Sequence, residues 1–432
     1  MNMRRATAQP PLRIAMVAAC AFPSLRGSQV LIRDLAQSLA GRGHEVHLIT
    51  YPYGDSLAAV DGIRLHRARV PWVGENGKRW AWYRLVLDVC LAVTLYRVVR
   101  QAHIQVIHAH NYEAPLASFL VRWITRVPIV YHSHNALSDE LAYYFTPGWR
   151  QRIAQFVGGI LDHQVPRRAD FAIALTPELE RFLRLCGATN VATIPPTGAG
   201  PPAAGGHYRS GRFHGRFVVM YTGNLDPYQD LEVLWVGFAT VLARVPEALL
   251  VLVTHETNWE ERAGARLLEL VNRGAAQVIV ASTFSAVRRW MACADVLVCP
   301  RQSWSGFPIK LLNYLASGRP VVAAVGCAKG IVDGETGLVF GNGDVDGLAA
   351  AVYRLARNPV LRAHLGEQAR MAIKAANTAN QTLNRLEGIY ALVCGRAAHR
   401  SFRGRLATEA HLQGLMAASK DHISAASGAM KR

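Results

Sequence analysis

A short, almost wholly apolar run followed by a longer amphipathic tract recurs along both halves of this chain. That alternation constrains its fold more than any other feature. Residues 12–20 (LRIAMVAAC) form such a run and end in a loop rich in Pro, Gly and Ser. Residues 28–41 follow with Val30, Leu31, Leu35 and Leu39 at helical spacing. Gly43 and His44 break the pattern, and 45–50 (EVHLIT) is the next apolar run. Strand, helix and strand in that order require a parallel sheet covered by helices, because parallel neighbours are joined only by a long crossover. Strand-like runs recur at 63–67, 104–108, 129–132 and 171–175, with helical tracts between them. The expectation is a doubly wound α/β domain over residues 1–200.

Residues 201–216 carry no periodicity and follow a Pro/Gly-rich approach, so they read as a linker. The pattern then restarts, with strands at 217–222, 249–254, 278–281, 296–299 and 321–325 and a helix at 230–243. A second doubly wound domain over 217–385 is the simplest account. Residues 344–357 and 361–390 have helical spacing. A C-terminal helix and tail are expected over 386–432, and the Ala/Ser-rich stretch after Gly395 is expected to fray. Two such domains place a ligand in the cleft between them, at the carboxyl ends of the strands.

Composition narrows the class. Hydrophobic residues make up 51% of the 432, which excludes intrinsic disorder. The net charge is +18, a value that attracts nucleic acid, anionic membranes or acidic substrates. Only Lys78, Lys310, Lys329, Lys374, Lys420 and Lys431 are lysines among the 48 basic residues, and Ala is abundant. Genome bias and a selected basic surface both account for that profile. No basic run is interleaved with aromatics, so nucleic acid is not an expected partner. The seven cysteines have no metal-ligand spacing and read as small buried hydrophobes in a reducing compartment. Residues 1–13 lack the apolar core of a leader, and Arg84, Asp88 and Arg97 interrupt the apolar tract 80–99. The expected location is cytoplasmic, with the inner membrane face left open.

The most informative stretch is 303–323 (SWSGFPIKLLNYLASGRPVVA). It resembles the donor-site motif of family 4 glycosyltransferases, which have the GT-B fold of two Rossmann-like domains facing each other across a cleft. There a Glu-Gly-Phe loop leads into a helix, a second Glu follows eight positions on, and Ala-x-Gly-x-Pro-Val-Val begins the next strand. Five more segments match in the same order: 23–28 (PSLRGS), 39–46 (LAGRGHEV), 106–110 (VIHAH), 221–226 (YTGNLD) and 334–339 (GETGLV). Each alone is weak, and the ordered set is strong.

The resemblance implies a retaining transfer of a sugar from a nucleotide-sugar to an acceptor hydroxyl, with no metal and no cofactor. The acceptor class it suggests is a cell-envelope, lipid-linked or exopolysaccharide hydroxyl. The departing diphosphate gains negative charge and needs backbone N–H groups and cations nearby. Gly306 and Phe307, with Pro308, are read as opening the helix that carries Lys310 and Asn313. Lys310 is placed one turn into it. Gly27 and Ser28 open the first helix in the same way. Gly223, at the start of the second domain, is a further donor-side position.

The chain departs from the family where charge matters. Ser305 and Asn313 replace the two glutamates. Asn224 and Gln229 replace the basic pair of the second domain, and Asp230 replaces the glycine that follows it. Two readings stay open. Either Lys310 and Arg301 have taken over neutralisation, or catalysis has decayed and the protein is a silent GT-B scaffold or binding subunit. A GT-B epimerase is a further reading; a phosphorylase is disfavoured, since no pyridoxal lysine motif is recognisable.

His110 resembles the family's active-site histidine near the donor sugar. His108 lies two residues earlier on the same strand face, so His110 is the one nearer the strand's carboxyl end. His134 and Asn135, after the next strand, are acceptor-side candidates, and His132 reads as structural. Asp139, Glu140, Tyr143 and Tyr144 shape either an acceptor site or a solvated face. Trp80, Trp82, Tyr83, Arg84, Arg97 and Arg100 border an apolar helix. Trp149, Arg150, Arg152, Arg167 and Arg168 add a second aromatic and basic stretch. An anionic membrane surface is the partner these suggest, against the alternative that 85–99 is a core-facing helix.

Overall fold

The computed structural model describes residues 10–24, 27–54, 62–70, 81–196, 213–376 and 379–395. They divide into two compact units. Residues 197–212, with most of the stretch read as a linker, lie outside the description, as does the tail after 395.

The first unit is a seven-stranded parallel sheet. Its strands are β1 (Arg13–Ala18), β2 (Glu45–Thr50), β3 (Ile63–Arg67), β4 (Val106–His110), β5 (Ile129–Ser133), β6 (Phe171–Ala174) and β7 (Val191–Thr193), in the order β3-β2-β1-β4-β5-β6-β7. Strand β1 pairs with β2 on one side and β4 on the other, so the winding reverses there. Ligands bind at such a reversal, beyond the carboxyl ends of the strands. Every residue of β4 and β5 is buried, as expected of strands covered on both faces. Edge strand β3 (IRLHR) is half-exposed and carries the charges that blunt an edge.

Helices α2 (Ala81–Gln101), α3 (Glu113–Thr125), α4 (Leu137–Ala142), α5 (Trp149–Arg168) and α6 (Pro177–Leu185) follow α1 (Gly27–Gly41) in the chain. Helices α2 and α3 pack on one face, against Ala15, Val17, Ile107 and Ile129. Helix α1 packs on the other, against Ile14, Met16 and Val130.

The second unit is a six-stranded parallel sheet. Its strands are β8 (Phe217–Thr222), β9 (Ala248–Thr254), β10 (Ala276–Val280), β11 (Val296–Cys299), β12 (Val321–Ala324) and β13 (Leu338–Phe340), in the order β10-β9-β8-β11-β12-β13. The reversal here falls between β8 and β11. Its helices are α7 (Leu231–Arg244), α8 (Trp259–Arg262), α9 (Gly264–Asn272), α10 (Phe284–Met291), α11 (Ile309–Ala316), α12 (Val345–Arg357) and α13 (Pro359–Ala376). Both units are thus Rossmann-like α/β domains with parallel sheets.

Three sequence expectations need correction. The strand placed at 104–108 is β4 at Val106–His110, so His110 is its last residue. The helical tract 361–390 is two helices, α13 and α14 (Ala379–Val393). Residues 379–385, assigned to the second domain, belong to α14, which returns to the first unit. Its Leu383, Leu386, Ile389 and Tyr390 are buried against the face that α1 covers. Glu387 anchors it, accepting from Arg42 at 2.9 Å and facing His44 Nε2 at 3.1 Å. The short edge strands β7 and β13 escape a reading by periodicity because each is only three residues long.

Among the described residues no helix is long and apolar enough to cross a membrane. None of the seven cysteines forms a disulfide, and Cys186, Cys293, Cys299 and Cys327 are buried.

Candidate active site

In the second unit the sequence candidates gather at the carboxyl end of β8. Gly223 leaves the strand with φ +136, a conformation that L side chains rarely adopt. A Cβ there would lie 2.9 Å from Lys310 Nζ, so glycine makes room for the ammonium. Lys310 Nζ donates to Tyr221 Oη at 2.6 Å and to Gln229 Oε1 at 2.9 Å, and lies 3.9 Å from the centre of the Tyr221 ring. Tyr221 in turn donates to the Asn224 carbonyl at 2.7 Å. Gln229 Nε2 donates to Asn224 Oδ1 at 2.7 Å, and Asn224 Nδ2 donates to Asp226 and to Tyr228 Oη.

The two positions where the resemblance expects cations are therefore neutral amides wired to one lysine from α11. Burial pushes the Lys310 ammonium down to about 8, and the Arg301 guanidinium adds to that push. A proton held this weakly is ready to be stabilised by an arriving anion.

A second layer lies outside the sequence reading. Arg262 donates to Asp226 Oδ1 at 2.7 Å and to Glu256 Oε2 at 2.6 Å. Glu256 Oε1 accepts from the Leu225 amide at 3.2 Å. These carboxylates are nearly buried and share one guanidinium between them. Arg262 is 36 residues from Asp226 in sequence, so only the fold reveals the pairing.

The donor-motif loop is arranged differently from its sequence reading. Helix α11 begins at Ile309, with Pro308 as its N-cap, so Gly306 and Phe307 lie in the loop before it. Gly306 has φ +75, which explains the glycine. Lys310 is the second residue of α11, in its first turn rather than one turn in. Arg301 is buried and donates to the Ser305 carbonyl at 2.8 Å and to Ser303 Oγ at 3.2 Å. Its guanidinium braces the loop and stacks 5.0 Å from the Tyr228 ring. Ser305 is fully buried. Asn313 Nδ2 donates to the Ile309 carbonyl of its own helix at 3.3 Å.

The first unit gathers four histidines. His108 and His110 lie at the end of β4, His132 near the end of β5 and His134 one residue beyond it, and all are buried. His110 Nδ1 and His134 Nε2 are 3.1 Å apart, as are His108 Nε2 and His132 Nδ1. His108 Nδ1 is 2.6 Å from Tyr390 Oη of α14. Burial drives all four below the usual imidazole range, His108 to about 3 and His134 to about 4. The cluster is neutral near pH 7. Nε2 of His110 and Nε2 of His132 have no hydrogen-bond partner among the described residues.

His108, His110 and His132 each bring a ring nitrogen within 4.8 Å of the others. A tetrahedral metal site holds its nitrogens at about 3.3 Å from one another, given metal–nitrogen bonds of about 2.0 Å. The His108 and His110 rings are stacked with centroids 4.5 Å apart and planes at 20°, and edge-on contacts of His134 with His110 and His132 complete the cluster.

Asn135, the acceptor-side candidate beyond His134, gives its carbonyl to Tyr112 Oη at 2.6 Å and to Ser133 Oγ at 3.0 Å. Asp162 of α5 is fully buried and accepts from Tyr112 Oη, the Leu137 amide and both the amide and hydroxyl of Ser138. It fixes the start of α4, where Asp139 and Glu140 are half-buried. Gly27 and Ser28 are the first two residues of α1, as the sequence reading has them.

Comparison with known proteins agrees with this architecture. Residues 26–197 match the model of a glycosyl transferase 4-like domain, and residues 216–358 match that of glycosyl transferases group 1. The chain is 27% identical over 356 residues to a phosphatidyl-myo-inositol mannosyltransferase of Mycolicibacterium smegmatis, covering 82% of this chain and 86% of that one. Among solved structures, sucrose-phosphate synthase of Thermosynechococcus elongatus aligns with a TM-score of 0.74 and 17% identity, over 89% of this chain and 100% of that one. HepE of Anabaena, in complex with UDP and glucose, aligns with a TM-score of 0.66 and 16% identity, over 88% and 99%. Two matched family domains in the expected order, on two Rossmann-like units, make this chain a group 1, family 4-type glycosyltransferase of the GT-B fold.

Proposed function

We propose that the protein transfers a sugar, with retention, from a nucleoside-diphosphate sugar to a hydroxyl of a lipid-linked or polysaccharide acceptor of the cell envelope. The observation that carries this reading is the Lys310 ammonium, anchored by Tyr221 and Gln229 where the family's basic pair would otherwise act. In the reaction the acceptor oxygen bonds to the anomeric carbon on the face from which the diphosphate leaves. The hydroxyl proton passes to the departing phosphate oxygen. That route needs no side-chain base, and no pair of carboxylates with glycosidase spacing has to be found. The charge left on the diphosphate is what Lys310 balances.

His110 is the residue read as lining the donor sugar. Its neutral ring, with a free Nε2, offers a hydrogen bond to a sugar hydroxyl without adding charge. The acceptor class follows the mannosyltransferase relative, whose named acceptor is a phosphatidyl-inositol, and the donor class follows the neighbour that binds UDP and glucose.

The silent-scaffold reading is favoured by one observation, that Asn313 spends its amide on its own helix. A thermal-shift panel of nucleoside diphosphates and their sugars separates the two. The transferase reading expects at least one to raise the melting temperature by mass action, and the shift to shrink in Lys310→Met. A flat panel favours the scaffold.

A further inference from the structure

Three helices on one face of the first unit turn apolar stripes to solvent. On α3, Leu116, Leu120, Trp123 and Ile124 are exposed, at i, i+4, i+7 and i+8, while Ala114, Ala117 and Val121 face the core. On α5, Trp149, Ile153, Phe156, Val157 and Ile160 repeat that spacing, opposite buried Asp162 and Val165. On α2, Leu85, Val89 and Val93 are exposed, opposite Leu87, Leu91 and Leu95. Trp123 is 87% exposed and Phe156 71%, values far from those of a core-facing helix.

Helix α3 packs against both α2 and α5, and all three cover the same sheet face, so the stripes form one surface. An apolar patch of this extent, rich in Trp and Phe, marks an interaction site.

Charge says what meets it. Arg84, Arg97 and Arg100 of α2 are exposed, as are Arg150, Arg152, Arg167 and Arg168 of α5. The acids of these helices are turned inward: Asp88 accepts from Tyr51 Oη, Glu113 is pushed up by burial, and Asp162 is fully buried. Among the described residues, the outer stripes of these helices are apolar and their exposed charges are all cationic. A second protein copy would bring the same arginines against these and repel them. We infer that this face of α2, α3 and α5 seats the protein on an anionic bilayer, with Trp123, Trp149 and Phe156 entering the headgroup–acyl boundary and the arginines meeting lipid phosphates.

The sequence pointed to part of this surface and misassigned part. Tyr83 is buried and accepts from Tyr53 Oη at 2.8 Å, so it is a core residue, and Trp80 lies outside the described residues. The α3 stripe emerges only from the structure.

The inference deepens the lipid-linked part of the acceptor reading, but its test uses neither donor nor acceptor. Full-length protein is sedimented with vesicles of phosphatidylcholine alone and of phosphatidylcholine with phosphatidylglycerol, at low and high salt. Binding is expected to the anionic vesicles, weakening as salt rises. Trp123→Ser with Phe156→Ser is expected to cut it at least about tenfold with an unchanged melting curve. Should that pair misfold, Leu120→Ser with Ile153→Ser replaces it. Arg150→Gln with Arg152→Gln is expected to weaken binding and flatten its salt dependence. No binding to anionic vesicles at low salt, equal binding to neutral ones, or undiminished binding by the folded apolar variants overturns the inference. A dimer that these variants convert to monomer, without vesicle binding, puts a second copy on this face and also overturns it. A nucleotide response in the thermal-shift panel would survive any of these failures.

Discussion

Lys310 Nζ donates to Gln229 Oε1 at 2.9 Å, so a cation from one segment is bound to the amide that stands where the family carries a cation of its own. The cation stands in the first turn of α11, and Tyr221 of β8 and Gln229 beyond it meet it with neutral oxygens.

Removing that cation tests the exchange. Lys310→Met is expected to weaken nucleoside-diphosphate binding by about ten- to a hundredfold, the span of one hydrogen bond to a charged group. Isothermal calorimetry with UDP and GDP reads it. Wild-type affinity in the variant would remove Lys310 from the donor site.

Binding should also depend on pH in a set direction. Burial puts the Lys310 ammonium at about 8 in the empty protein, and a bound diphosphate raises it. Affinity is therefore full below 8 and falls as pH rises through 8, towards the higher value of the complex. The loss approaches about tenfold per pH unit in that window. Lys310→Met should show no such decline. A wild-type affinity constant between about pH 7 and 9.5 would contradict the assignment.

Gly223→Ala combines two penalties. Its φ of +136 is strained for any side chain, and the new Cβ would sit 2.9 Å from Lys310 Nζ. A loss of about 1–3 kcal/mol in stability is expected, with weakened nucleotide binding as the ammonium shifts. In the Lys310→Met background the binding penalty should largely disappear. Urea denaturation and calorimetry on the four proteins measure both effects, and full additivity in binding would uncouple the two residues.

The histidine cluster predicts acid lability. Folded His108 and His134 titrate at about 3 and about 4, below the free imidazole value. The unfolded chain therefore binds more protons between about pH 6.5 and 4, and stability falls as pH drops through that window. Each of the two costs about 2 kcal/mol at pH 5. Melting temperature should decline from pH 6.5 to 5, and less steeply in His134→Gln. A flat profile would mean that the cluster opens and hydrates before unfolding.

The two parallel sheets were legible in the sequence because strands covered on both faces must be continuously apolar, as β8 and β9 are. Gly306 reads from the sequence as a helix opener, and only the structure shows it in the loop before α11 at φ +75, which few other residues adopt. What the sequence could not settle was which partners distant side chains would find. Nothing local ties Tyr390 to His108, 282 residues away, or Arg262 to Asp226. That the start of α14, residues 379–385, falls in the first unit and not the second was not legible, because its apolar stripe specifies only that it is buried, not against which sheet. The α3 stripe is the reverse case. Its spacing is compatible with a core helix, and only the packed sheet shows that Trp123 is left exposed among the described residues. Periodicity along a chain determines local structure and the amount of surface to be buried; the pairing of those surfaces depends on contacts between remote segments, and these exist only once the chain has folded.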